Sequence, residues 1–466
     1  MHAHLRGSLA ANGRIELGPM QVTSIAVPRL GRLCCSLFSP FLSVTCLKSN
    51  HHTRLKYNCA SLSEHGQEIA PTIPPRLPEV SDGAWDEFDR KAVRQALDDA
   101  SKISRQAKKY GLEYGEVILG KEKEELEELC LFFDQPKYRA KQLRDAVLHQ
   151  GARELKDITT IPKSWRESLV DKGIKIGRSE IYHRVVARDG TRKFLLKLHD
   201  GLVVETVGIP AGDGESNRLT VCVSSQIGCP MRCTFCATGK GGFARNLLPH
   251  EIIDQVLTVQ EDFDQRVSNI VFMGMGEPLL NIPSVMKAHH IINKDLNIGA
   301  RHITISTVGV PNAIEKVAQY DTQSTLAVSI HAPNQPLREK IVPSAKAYPL
   351  EALMSDCVKY FEATGRRVTF EYTLLAGIND GPQHAEELAV LLKRHGNMRS
   401  HVNVIPWNPV DESEFKRPSK NNVRKFVSIL QENGVKTSIR ITRGLEAAAA
   451  CGQLRNRHQR EPVQRQ

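Results

Sequence analysis

Three cysteines in one short loop, Cys229, Cys233 and Cys236 of GCPMRCTFC, have no fourth close downstream, and their spacing is the most direct chemical signal in the chain. A structural zinc site takes four ligands, normally as two separated pairs. Here one C-x3-C-x2-C loop supplies three, and a zinc ion would have to recruit Cys222 from the strand before the loop. An iron-sulfur cube accounts for the arrangement better, because three thiolates hold three irons and leave the fourth iron open to a ligand. The spacing favours iron-sulfur and leaves zinc open.

The elements that must position this loop follow a regular pattern. Strand candidates RLTVCVSS, NIVFM, HITIS, TLAVSI, VTFEYTLL, VNVIP and TSIRIT alternate with helical segments such as EIIDQVLTVQEDF and HAEELAVLLKRHG. Such alternation predicts an α/β fold, a parallel sheet with crossover helices closed or partly closed into a barrel. Six clusters fall just after predicted strands: the cysteine loop, GMGEP, STVG, SIHAP, PWNP, and TRG with the Cys451 tail. Active sites of α/β barrels are built at that edge, so the motifs converge on one mouth.

Upstream, TRKFLLKLHDGLVVETVGIP alternates as strands do and turns at His199-Asp200-Gly201, which predicts a β-hairpin. Before it, from about Glu122 to Gly173, the pattern is helical with breaks at Pro136 and Pro162. Its basic residues Lys137, Arg139, Lys141 and Arg144 are candidates for touching RNA, although a solvated helix face is the default for any one of them.

The chain of 466 residues is 41% hydrophobic and 25% charged, and it holds no apolar run near the length that spans a bilayer. Residues 1–60 carry seven Lys/Arg and one acid, Glu16, so more than half of the net charge of +11 sits there. That stretch is also rich in Ser and lacks a compact apolar core, which reads as an organelle transit peptide. A plastid is the first destination and a mitochondrion the second, with the cytoplasm expected if the leader is not a signal. Eleven cysteines without a secretory signal imply reduced thiols rather than a disulfide framework. Cys34, Cys35, Cys46 and Cys59 fall in the leader, and Cys130 and Cys357 read as small core residues.

Taken singly, the remaining candidates have bland readings. The glycines of GMGEP make a turn, His331 is a core histidine, Asn408 caps the turn of PWNP, Cys222 is a buried strand residue, Glu205 an exposed strand charge and Cys451 a tail thiol. As a set they resemble something more specific. The cysteine loop with Phe235 before its last cysteine, followed by GMGEP after the next strand, resembles the radical S-adenosylmethionine superfamily. More narrowly, CVSSQIGCPMRCTFCATGKGGFARNL, GMGEPLLN, ISTVGV, SIHAPN, NVIPWNP and ITRGLEAAAACGQL, in that order, resemble the RlmN/Cfr family of RNA adenine methyltransferases, nearest its RlmN branch, over about residues 125–455.

The resemblance implies a partial (β/α)6 TIM-like radical SAM barrel with a small N-terminal helical domain and a β-hairpin extension. The expected division is 1–65 transit peptide, 66–120 linker and peripheral helix, 121–175 helical accessory domain, 176–214 hairpin extension, 215–446 barrel and 447–466 tail. It implies that Cys229, Cys233 and Cys236 ligate a [4Fe-4S] cluster whose open iron binds S-adenosyl-L-methionine. Gly276, Glu277, Ser306, Ser329, Ile330, His331 and Asn408 would complete that cofactor's pocket. Cys451 would accept a methyl group from one S-adenosylmethionine, and a radical made from a second would activate that methyl for addition to the adenine ring. Cys222 would release the protein-RNA intermediate by forming a disulfide with Cys451, and Glu205 would accept the ring proton. The implied reaction is methylation of adenine C2 in 23S-type large-subunit rRNA and, as a second substrate, in tRNA. Methylation at C8, or a non-catalytic iron-sulfur RNA-binding role, are the alternatives. An electron donor such as flavodoxin or ferredoxin, no membrane partner and a monomer are the remaining expectations.

Overall fold

The computed structural model describes residues 117–455 except 213–216, 321, 397 and 412, together with the backbone of one two-residue antiparallel pair, Val44–Thr45 with Lys56–Tyr57. Apart from that pair, the expected leader, the linker as far as residue 116 and the tail beyond Arg455 lie outside the described residues, and so do Cys34, Cys35, Cys46 and Cys59. No described helix is long and apolar enough to cross a membrane.

The first described elements are helices α1 (Lys123–Phe132), α2 (Arg139–Leu148) and α3 (Lys163–Asp171). They close on Leu126, Cys130, Leu143, Val147, Trp165 and Leu169, all buried. Of the four basic residues singled out on this unit, Arg144 pairs with Asp295, Lys137 with Glu127, and Arg139 with Gln142 and the Thr160 carbonyl. These ties make the basic face partly structural.

Ten strands then form one sheet. β1 (Glu180–Val186), β2 (Arg192–Lys197) and β3 (Val203–Pro210) run antiparallel and join β4 (Leu219–Cys222), also antiparallel. The extension is therefore a three-stranded meander continuous with the barrel sheet rather than a lone hairpin. Its extra strand, EIYHRVV, lies at the sheet edge and is almost wholly exposed, so it lacks the alternation that marks a half-buried strand. A separate short ladder, β5 (Gln226–Gly228) with β6 (Phe243–Asn246), brackets the cysteine loop.

Six helical crossovers then link β4 to β7 (Asn269–Phe272), β8 (Ile303–Thr307), β9 (Thr325–Ser329), β10 (Val368–Leu374), β11 (Ser400–Pro406) and β12 (Thr437–Ile439), with every adjacent pair parallel. This is the expected (β/α)6 unit count, with β12 as a short terminal strand. All seven residues of β10 are buried, as suits a central parallel strand covered on both faces.

After the single turn α4 (Ala237–Lys240), the barrel helices begin with α5 (Pro249–Phe263), which has proline in its first turn and Glu251 accepting from the Leu248 N–H at 2.8 Å. Burial alone would raise Glu251, but two 2.7 Å hydrogen bonds from Arg245 outweigh it and hold the carboxyl below the usual range. Arg245 also reaches Asp200 in the turn between β2 and β3, so one guanidinium locks the extension to the barrel.

Candidate active site

The cysteine loop leaves β5 through Gly228, whose φ is +77° and whose notional Cβ would stand 1.9 Å from the Gly242 carbonyl oxygen. Only glycine fits there. The Cys229 N–H donates to that same carbonyl at 2.8 Å, and the Cys236 N–H to the Cys233 carbonyl at 3.1 Å. The loop, through Met231 and Phe235, rests on an apolar floor that includes Ala332, Leu375 and Trp407, and the Trp407 indole donates to the Phe235 carbonyl at 3.0 Å. Burial pushes the Cys229 and Cys233 thiols well up, and neighbouring thiols of the loop push them further.

The donor set fits a cluster better than a single ion. Three thiols on one short loop are one short of the four ligands a structural zinc takes, and they match the three protein ligands of a cube with an open iron. Among the described residues, His199, His250 and Glu251 bring three ligand atoms within 4.8 Å of one another. Those three line a different cavity, of about 530 Å³, which none of the expected site residues lines.

The expected cofactor-pocket residues sit at the carboxyl ends of the parallel strands. Gly276 and Glu277 lie in the turn after β7, Ser306 in β8, Ser329 at the end of β9 with Ile330 and His331 beyond it, and Asn408 beyond β11. Glu277 is fixed by the Leu279 N–H at 2.9 Å, the Val308 N–H at 2.8 Å and its own N–H on Gln226 at 2.8 Å. Burial pushes its carboxyl up to about 7 against those hydrogen bonds. An arriving ammonium group would find it preset.

His331, at φ +56°, accepts from the Thr373 N–H at 3.1 Å and packs edge-on against Phe235, with ring centroids 4.9 Å apart. Burial pushes it down to about 3, so its ring is neutral. Asn408 donates to the Cys451 carbonyl at 3.1 Å and accepts from Arg417 and Thr442, so it ties the tail to the mouth.

Gly276 carries a first prediction. Its φ is +106° and an added Cβ would meet the Gln226 Cβ at 2.5 Å, so Gly276→Ala must push Glu277 off Gln226. We expect S-adenosylmethionine affinity of the iron-loaded protein to fall about tenfold or more, since such strain costs of order 1–3 kcal/mol. Equilibrium dialysis measures it, and unchanged affinity would reduce Gly276 to a turn former.

The other expected residues meet on the side of the extension. Cys222 ends β4 and pairs with Val207 of β3, which puts it on the same sheet face as Glu205. Glu205 is 2% exposed, its Oε2 accepting from the Arg455 N–H at 3.1 Å. The tail carrying Cys451 docks on the cysteine loop, the Gly452 carbonyl accepting from the Ala237 N–H at 2.8 Å and the Leu454 carbonyl from the Thr238 hydroxyl at 2.6 Å. Cys222 is buried and Cys451 exposed, and both are free thiols.

Burial raises Cys222 to about 12, and the Arg440 guanidinium pulls the Cys222 and Cys451 thiols the other way. The Arg440 guanidinium thus acts electrostatically on both thiols, and it lies 3.9 Å from Glu371 while donating to the Met273 sulfur at 3.0 Å.

Three residues at the mouth have no counterpart in the sequence reading. Arg440 was hidden inside a strand candidate. Buried Arg338 of α8 (Gln335–Ile341) donates to the carbonyls of Val308 and Ile330 at 2.6 and 3.2 Å, clamping the ends of β8 and β9. Its only sequence signal is a charge in a short helix beside apolar positions. Lys193, 8% exposed, stands 3.7 Å from Glu205. The turn at His199-Asp200-Gly201 sets the register that brings these two together, so this pair was readable in principle.

Comparison with known proteins agrees with this geometry. Residues 223–392 match the Radical SAM superfamily. A protein of Thermosynechococcus vestitus named "Probable dual-specificity RNA methyltransferase RlmN" is 58% identical over 339 residues, covering 73% of this chain and 98% of its own. Another of that name from Nostoc punctiforme is 57% identical over 325 residues, covering 69% and 88%. Among solved structures, a radical SAM methyltransferase from Sphaerobacter thermophilus matches with a TM-score of 0.69 at 39% identity, covering 73% of this chain and 99% of its own. The chain belongs to the RlmN/Cfr family of radical S-adenosylmethionine RNA methyltransferases.

Proposed function

We propose that this protein methylates C2 of an adenine in large-subunit rRNA, and in tRNA, through an S-methylated Cys451, and consumes two S-adenosylmethionine molecules per turnover. Cys229, Cys233 and Cys236 would hold a [4Fe-4S] cluster, which with S-adenosylmethionine on its open iron supplies one-electron cleavage of the sulfonium and a carbon radical. The chain's own residues do the rest. Glu277 orients the methionine ammonium, and Cys451, having lost its proton, attacks the methyl carbon of one S-adenosylmethionine, so that an S–C bond forms as the methyl–sulfonium bond breaks and S-adenosylhomocysteine leaves. Glu205 accepts the proton that leaves the ring carbon. Cys222, having lost its proton, attacks the Cys451 sulfur, so that an S–S bond forms as the bond from sulfur to the product's carbon breaks. That carbon leaves with the electron pair and takes a proton to become the methyl group, and an external dithiol reduces the disulfide before the next turnover.

The observation that carries this reading is that the tail bearing Cys451 docks beside the cysteine loop, where the Cys222 and Cys451 thiols feel the charge of one guanidinium, Arg440. An RNA-binding module needs neither thiol. The test is nucleoside mass spectrometry of a large-subunit rRNA fragment incubated with iron-loaded protein, S-adenosylmethionine and dithionite. The expected product is 2-methyladenosine with 5'-deoxyadenosine. 8-Methyladenosine instead would move the reaction to C8, and the absence of both methylated RNA and 5'-deoxyadenosine would leave only a binding role.

A further inference from the structure

Lys193 lies in β2 and Glu205 in β3, and the register pairs Lys193 with Val207 and Leu195 with Glu205. Residues directly opposite share a face, so Lys193 and Glu205 are diagonal neighbours on one face. That face forms part of a cavity of about 350 Å³ whose other walls are the loop after β11, α4 and the tail. Two charges at such a site are costly to bury unless they are paired, and these are nearly dry, at 8% and 2% exposure. The Lys193 ammonium is 3.7 Å from Glu205 Oε1 and donates to the Ala448 carbonyl at 3.2 Å. Ala448, three residues before Cys451, has φ +47°, so its carbonyl direction depends on an uncommon backbone conformation. One ammonium therefore touches both the carboxylate and the loop that carries the methyl-accepting cysteine.

We propose that Lys193 is a positioning residue for the reaction: its ammonium, anchored on the Ala448 carbonyl, holds Glu205 ionised and aimed into the cavity. The inference rests on the reading of Glu205 as the proton acceptor. It deepens that reading by naming what keeps a buried carboxylate present as the anion and directed at the substrate. The other charged or titratable groups lining the cavity are His183 of β1, Asp411 of the loop after β11 and Arg455 of the tail, with Cys222 on the same sheet face. All of them are unchanged in the variants below, so a difference between variants reports Lys193.

The sign follows from the charge. A cation beside a carboxylate lowers its pKa by about 1–3 units, and removing it raises the pKa by a like amount. Activity that needs the anion then lies on an acid limb displaced to higher pH, with the loss greatest at low pH and shrinking as pH rises. In Lys193→Met, single-turnover formation of methylated adenine by the iron-loaded full chain should show that limb moved up by about 1–3 pH units. At a fixed pH below the parent's limb the rate should fall about tenfold for each unit moved. Lys193→Arg should keep the parent's limb.

S-methylation of Cys451, read by intact-protein mass spectrometry, precedes proton abstraction and needs no base on the ring. It should persist in both variants, which also shows that they are folded. A pH-independent loss in Lys193→Met, with the limb unmoved, would overturn the proposal and leave Lys193 a structural tie. Glu205→Gln separates the two readings. If it methylates RNA as the parent does, the base reading fails and the proposal with it. If it is inactive while the Lys193→Met limb stays in place, the proposal fails alone.

Discussion

Cys451→Ala is expected to lower the yield of methylated adenine about 10³-fold or more while iron content and cluster absorption stay at the parent's level. The two effects separate because of how the tail is held. Its ties to the mouth run through backbone groups, the Cys451 carbonyl to Asn408, the Gly452 carbonyl to Ala237 and the Leu454 carbonyl to Thr238. Alanine keeps all of them and removes only the sulfur. The cluster thiols come from a different loop, resting on its own floor. The second thiol that acts on Arg440, Cys222, is buried, so it does not take over as the methyl carrier.

Cys222→Ala should fail at a later step. It keeps the carrier and the base but lacks the second thiol, so RNA should stay covalently attached to Cys451, visible as a band shifted by the mass of the RNA on a denaturing gel. Methylated adenine released from Cys451→Ala, or the absence of an adduct in Cys222→Ala, would remove these cysteines from the reaction.

The parts of the molecule legible in the sequence are those whose signal is local. The (β/α)6 alternation was readable because β7 to β11 are short buried runs between amphipathic helices; in α11 (Lys420–Glu432), for example, Val423, Phe426, Val427 and Leu430 recur at helical spacing. The cysteine loop was readable from spacing alone. Local signal fails where a residue's character depends on a neighbour distant in sequence. Glu205 reads as an exposed strand charge, yet Lys193 and the Arg455 N–H allow it to be buried. Arg338 and Arg440 are ordinary basic residues until the barrel closes and brings carbonyls or thiols around them. The edge strand β1 was missed for the opposite reason, since it buries too little to carry a pattern.

The second large effect tests which metal the loop is built for. A four-cysteine zinc site that recruits Cys222 and an iron-sulfur cluster that does not make opposite predictions for two alanine variants. In the zinc case Cys222→Ala and Cys233→Ala each remove one of four ligands and should lose metal alike. In the cluster case Cys233→Ala should abolish iron binding and all methylation, whereas Cys222→Ala should keep a full complement of iron and sulfide. The structure favours the second outcome. Cys222 ends β4, outside the loop, and feels the charges of Arg440 and Cys451, whereas Cys229 and Cys233 feel thiols within the loop. The alanine at 233 removes a thiol that burial holds far above its usual value, so the parent must release protons to bind metal and should load iron faster as pH rises. Iron and sulfide assays on the two variants decide the question. Loss of metal from both would restore zinc, and retention of iron by Cys233→Ala would show that the loop is not the ligand.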